Sequence, residues 1–157
     1  MARLGSAPRR VRDCFGAAAI FAADGACLLG VMGSHTFNAG KMYFPCGVPD
    51  PNDIKNGKVD LDFSVRREVK EETGLDARDV MAEPGWTAVV DGSLVALIKV
   101  LHTSEPAQAL RARMLAHLAR EKQPELSDIT IVRCAGDFTP TMPRFVTAFL
   151  AWQFGVQ

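Results

Sequence analysis

No stretch of this sequence approaches the roughly 18 consecutive apolar residues that a membrane-spanning helix needs, so a helical span is not expected. Cysteine is sparse and scattered. The four (Cys14, Cys27, Cys46, Cys134) form no CxxC pair, which argues against a zinc ribbon or a disulfide framework. They read instead as reduced residues of a cytoplasmic protein. The three histidines (His35, His102, His117) lie equally far apart, so a histidine-based zinc site is not expected. Excess charge is missing as well: 18 basic residues balance 18 acidic ones. No global field therefore favours a nucleic acid polymer or a membrane surface as partner. A phosphate-bearing small molecule stays open, because a local cation could supply the positive charge.

What is present fits one globular domain. The 157 residues, 48% hydrophobic and 23% charged, are enough for a sizeable core. The expected layout is a flexible basic arm over 1–12 followed by a single domain over 13–157. The start (MARLGSAPRRVRDCFGAAAIFAADG) has the outline of a secretory signal, basic and then apolar. However, the apolar run passes through an Asp-Gly turn into ACLLGVM, which reads better as a hairpin of strands near 14–22 and 26–32.

A short strand MYF then leads into a segment dense in Pro, Gly, Asn and Asp, expected as loop. A helix over about 60–73 should stop at Gly74. GWTAVV and SLVALIKV form a second hairpin, residues 105–122 a helix, DITIVRC a strand. The tail should dock as a helix through Phe145, Phe149 and Trp152. Strands joined mostly by hairpins and interleaved with a few helices give an α+β class with a mixed sheet.

The chemistry concentrates in Arg67-Glu68-Val69-Lys70-Glu71-Glu72-Thr73-Gly74-Leu75. At 100° per residue, with Leu61 at zero, Val65 falls near about 40° and Val69 near about 80°. Glu68 (about −20°) and Glu72 (about +20°) then share the apolar face, with Glu71 on its border. A solvated helix face would show the reverse. Carboxylates beside a buried stripe are costly unless paired or metal-bound. Arg67 can offset part of that by pairing with Glu71, four residues on. A hard divalent cation, Mg²⁺ or Mn²⁺, is the simplest partner for the rest.

This segment resembles the second half of the Nudix box, R-E-U-x-E-E-x-G-U with U aliphatic. Its five fixed positions recur by chance in about one chain of this size in ten thousand. Tyr43-Phe44-Pro45-Cys46-Gly47 resembles the family's F-P-G-G loop, with Cys46 for the first glycine. Pro124-Glu125-Leu126-Ser127-Asp128-Ile129 resembles its late acidic segment. The box departs from the pattern at its start. Its leading glutamate would fall at Val59 and its leading glycine at Asp53, unless Gly47 serves and the loop carries an insertion. Asp50, Asp53, Asp60 and Asp62 are the acids that could compensate.

The resemblance implies a Nudix-like α/β/α sandwich and a Mg²⁺- or Mn²⁺-dependent pyrophosphohydrolase. The substrate would be a small molecule with a diphosphate linked to another moiety, such as a nucleoside. It further implies metal ligation by Glu68, Glu71, Glu72 and the carbonyl of Gly47, with Arg67 holding Glu71 and Glu125 as candidate base. Lys41, Tyr43 and Phe37 are candidates for contacting substrate, and a homodimer would be in keeping with the family. The alternative is a nucleotide-binding or regulatory domain that has lost catalysis. Nothing outside the box specifies the substrate.

Overall fold

The computed structural model describes residues 11–156. The arm expected over 1–12 therefore lies, apart from Val11 and Arg12, outside the described residues. In chain order come β1 (Asp13–Phe21), β2 (Cys27–Met32), β3 (Met42–Tyr43), β4 (Cys46–Gly47) and a 3-10 turn (Pro51–Asp53). A small hairpin of β5 (Ile54–Lys55) and β6 (Lys58–Val59) precedes α1 (Leu61–Thr73). Then follow β7 (Met81–Ala82), β8 (Thr87–Asp91), β9 (Leu94–His102), α2 (Ala107–Leu118), β10 (Leu126–Val132) and α3 (Arg144–Gln153).

Both hairpins expected at Asp-Gly form. β1 and β2 pair antiparallel from Phe21↔Cys27, and β8 meets β9 through a two-residue turn at Gly92-Ser93. Gly92 has φ +60°, as the first position of a type II′ turn requires. The main sheet runs β10-β2-β1-β9, with β7 and β8 both on the far side of β9. β1 pairs with β9 in parallel over its full length, so the sheet is mixed.

Because the period of a strand is two, β1 serves both faces. Ala17, Ala19 and Phe21 meet Phe145, Val146, Phe149 and Leu150 of α3. Ala18 and Ile20 meet Val65 and Val69 of α1 and Leu110, Met114 and Leu118 of α2. The result is the expected α/β/α sandwich. Trp152 corrects one expectation: at 64% exposure it lies outside the core that Phe145 and Phe149 enter, because it sits on the outer side of the last turn of α3.

One irregularity of the sheet positions the site. β1 pairs β2 only at its C-terminal end, while Gly16 and Ala17 pair with Gly47 and Cys46 of β4. β2 meanwhile pairs with β3 through Gly30↔Tyr43 and Val31↔Met42. The two strands thus part, the segment 42–47 fills the gap, and Ala18 N–H donates to Pro45 O (2.8 Å). α1 crosses this gap closely because position 16 is glycine. A Cβ there would collide with Val65 and Leu61.

Candidate active site

α1 starts where expected. The Asp60 side chain accepts from Phe63 N–H (3.0 Å), and Gly74 ends the helix at φ +76°. His117 of α2 closes the same end through its ring Nε2, 2.9 Å from Glu71 O. The helix buries Val65 and Val69 at roughly 1.5–3 kcal/mol each. That inward face also carries Glu72, only 8% exposed. Glu68 lies largely covered on it, whereas the Glu71 side chain stands mostly in solvent. The wheel thus ordered the acids correctly: two inward, one at the rim.

Gly47 explains how Glu68 fits. A Cβ at position 47 would overlap the Glu68 carboxyl group where it lies, so the glycine leaves the room this side chain occupies. Glu125 arrives from the opposite side. Its carbonyl accepts from Gly33 N–H (2.8 Å), and the adjacent Leu126 fills the space left by the missing side chain of Gly30. Two cavities meet here. One, of about 280 Å³, runs from Asp13, Phe15 and Tyr43 to Cys46, Gly47, Glu72 and Glu125. The other, about 170 Å³, lies between Glu71, Glu72, Glu121 and Glu125. Glu72 and Glu125 line both.

Arg67 is the cation nearest these acids, and the expected pairing with Glu71 is present as one of four contacts. Its guanidinium is 2.9 Å from Glu68, 3.1 Å from Asp53, 3.5 Å from Glu71 and 3.6 Å from Asp50. Glu71 is thus a peripheral partner. The closest contacts go to Glu68 and to Asp53, whose side chain is completely buried. Asp53 reaches that place because the segment 50–60 folds back on itself. Asp50 and Asp53 form a reciprocal capping box, with Asp50 N–H donating to Asp53 Oδ2 (2.8 Å) and Asn52 N–H to Asp50 Oδ1 (2.6 Å). The β5–β6 hairpin turns at Asn56-Gly57, both at positive φ, and Asp60 N–H closes the loop on Asp53 O (2.7 Å). Val59, where the box would place its leading acid, is half-exposed and pairs with Ile54.

No cation lies within ion-pair distance of Glu72 among the described residues. Burial, and then the nearby carboxylates of Glu125 and Glu68, push its pKa well above the usual glutamate range. Burial raises that of Glu68 too, against the pull of Arg67. The Cys46 thiol, half-buried beside Glu72, Glu68 and Glu125, is likewise pushed up by desolvation and by these carboxylates, which disfavours it as a thiolate nucleophile.

In kind this donor set fits a hard divalent ion: carboxylate oxygens, one of them buried without a counter-charge, beside a glycine backbone. It is not gathered into a ready-made centre. Among the described residues no three acidic, histidine or cysteine side chains stand together as metal ligands. Glu68 leans on Arg67, and Glu71 faces outward.

In overall architecture the chain is similar to solved structures of one family. The MutT protein from Methanosarcina mazei Go1 is 19% identical over 95% of this chain and 96% of that one, with a TM-score of 0.59. A hydrolase of the NUDIX family from Clostridium perfringens is 14% identical over 92% and 97%, TM-score 0.56. The NUDIX domain of Shewanella oneidensis NrtR, complexed with ADP ribose, is 16% identical over 84% and 80%, TM-score 0.52. The chain has the Nudix fold. No protein-family model matches it, and no curated protein matches it by sequence. At these identities the likeness is one of fold.

Within that Nudix fold, the residues singled out in the sequence separate clearly. Glu68, Glu72, Gly47 and Glu125 converge, and Tyr43 lines the larger cavity. Phe37 is fully exposed, Lys41 is exposed, and neither lines a cavity. Asp13, Phe15 and Asn38 were not anticipated but line it. The one available signal was the period of β1, which puts Asp13 and Phe15 on the same face. No helix among the described residues is long and apolar enough to cross a membrane.

Proposed function

We propose that this protein is a divalent-metal-dependent pyrophosphohydrolase that cleaves a diphosphate linked to another moiety by attack of water on phosphorus. The observation that carries this reading is Glu72: a buried carboxylate without a counter-charge, between Glu68 and Glu125, at the junction of two cavities. Glu68, Glu72 and the Gly47 carbonyl would hold the cation, with Glu71 completing the set when substrate arrives. Bound Mg²⁺ or Mn²⁺ would neutralise the diphosphate and stabilise charge on the leaving phosphate. Arg67 keeps Glu68 oriented and does not reach substrate. Glu125, exposed at the cavity wall, accepts the proton of the attacking water as the new P–O bond forms and the bridging P–O bond breaks.

The test is a panel of nucleotide sugars, dinucleotides, dinucleoside polyphosphates and nucleoside triphosphates with Mg²⁺ and with Mn²⁺, read as phosphate-bearing products. Turnover of at least one diphosphate is expected. Silence across the panel with both metals contradicts the reading.

A second reading, a binding or regulatory domain without catalysis, draws on two observations. Counting back from Arg67 puts Val59 where the box has its leading acid, and Glu68 is engaged by Arg67 rather than free. Retention of Glu72 in a buried position weighs against it, since a binder without metal would carry that desolvation cost for nothing.

A further inference from the structure

Resting on the proposed hydrolase reading, we infer that the group attached to the diphosphate is a nucleoside whose base presents two adjacent N–H donors, that is, guanine. The larger cavity has two chemically distinct ends. Glu72, Glu125 and Gly47 form one. Asp13, with Phe15 and Tyr43, forms the other. Gly16 pairs with Gly47, so Asp13, three residues earlier on β1, lies about 10 Å along the strand from the Gly47 end of the cavity. That is the separation a ribose puts between a diphosphate and its base. At about 280 Å³ the cavity is at the small end for a ligand site, enough for one nucleoside and not for two.

The aromatic walls are held rigidly. Phe15 and Tyr43 both pack on Phe145, at centroid distances of 5.3 and 5.9 Å, while remaining half-buried and open to the cavity. Such rings suit a planar base. Asp13 then selects among bases. An ionised carboxylate only accepts hydrogen bonds. Guanine alone offers a paired N1–H and N2–H edge to its two oxygens. Adenine and cytosine put a ring acceptor beside their amino group, and uracil flanks its single N–H with carbonyls. Asn38, on the same cavity, supplies the amide donor that the guanine carbonyl needs. No Lys, Arg or His among the described residues lines the cavity. It therefore offers nothing to a second phosphate cluster, such as that of a dinucleoside polyphosphate.

The experiment compares GDP-, ADP- and UDP-glucose, which differ only in the base, together with diguanosine tetraphosphate, in the wild type and Asp13→Asn. Expected is a kcat/KM at least about tenfold higher for GDP-glucose, carried by KM, and erased when Asp13→Asn turns one acceptor into a donor. Equal rates across the bases, a guanine preference that survives Asp13→Asn, or fastest turnover of the tetraphosphate overturns the inference while leaving the hydrolase reading intact. Calorimetric binding of GDP, ADP and UDP with Mg²⁺ separates the two claims. Tighter GDP binding that Asp13→Asn abolishes supports the base assignment even without turnover; equal binding refutes it.

Discussion

Asp53 and Glu72 are both buried carboxylates near α1, and their surroundings are opposite. Asp53 accepts from Asp50 N–H and faces the Arg67 guanidinium at 3.1 Å, which together hold its carboxyl below the usual aspartate range, the backbone donor contributing most. Glu72 has no cationic neighbour among the described residues, and its surroundings push it the other way. One carboxylate has its charge paired within the fold through Oδ2, and the other faces no cation among the described residues. On the proposed reading the difference separates scaffold from function: Asp53 anchors Arg67 and, through it, Glu68, whereas Glu72 would hold the cation.

The sharpest way to break this contrast is Glu72→Gln. Even outer partners of a metal site cost about 10–100-fold in affinity or activity when removed. Loss of a direct ligand should therefore cost at least about a hundredfold in the rate on whichever diphosphate the wild type cleaves. The same change removes a buried carboxyl that is costly to ionise, so the metal-free variant should melt higher than the wild type near neutral pH. Asp53→Asn should do the reverse. Melting falls because Arg67 loses its buried counter-charge. Activity falls by a smaller factor, about 10–100-fold, because Glu68 is less well held.

The contrast has a pH signature as well. A carboxyl group whose pKa is raised in the folded state favours folding most when protonated. The stability of the metal-free protein should decline as pH rises from the ordinary glutamate range through the raised value of Glu72. That slope should flatten in Glu72→Gln. Asp53, shifted downward, contributes stability that is lost only as pH falls through its lowered value. Denaturant unfolding with excess chelator, followed from acidic to neutral pH, reads both arms. The smallest effects belong to Phe37→Ala and Trp152→Ser. Both side chains are exposed and line neither cavity of the site, so melting should hold to within about 0.5 kcal/mol. Steady-state rates should not change.

The acid face of α1 was legible because helix periodicity alone ties Glu68 and Glu72 to Val65 and Val69. The closing of that helix at Gly74 and both hairpin turns were legible for the same local reason. The role of Asp53 was not. It depends on a capping box, the Asn56-Gly57 turn and a long-range pairing with Arg67, of which only the turn leaves a dipeptide signal. Phe37 and Lys41 were misleading because loop residues carry no period that says which way they face. Asp13 went unnoticed because the first residue of a strand reads as a polar terminus. Its place on the cavity comes from the register of β1 with β4 and β9, which pattern does not encode.

The most direct test of the central claim is a calorimetric titration of the substrate-free protein with Mn²⁺ and Mg²⁺, run on the wild type, Glu72→Gln and Asp53→Asn. Expected are binding to the wild type, a matching rise in melting (about 2.7 kcal/mol at 100 times Kd), loss of both in Glu72→Gln, and weakened binding in Asp53→Asn. Wild-type and Glu72→Gln protein binding metal equally, or neither binding it even with GDP present, would contradict the claim.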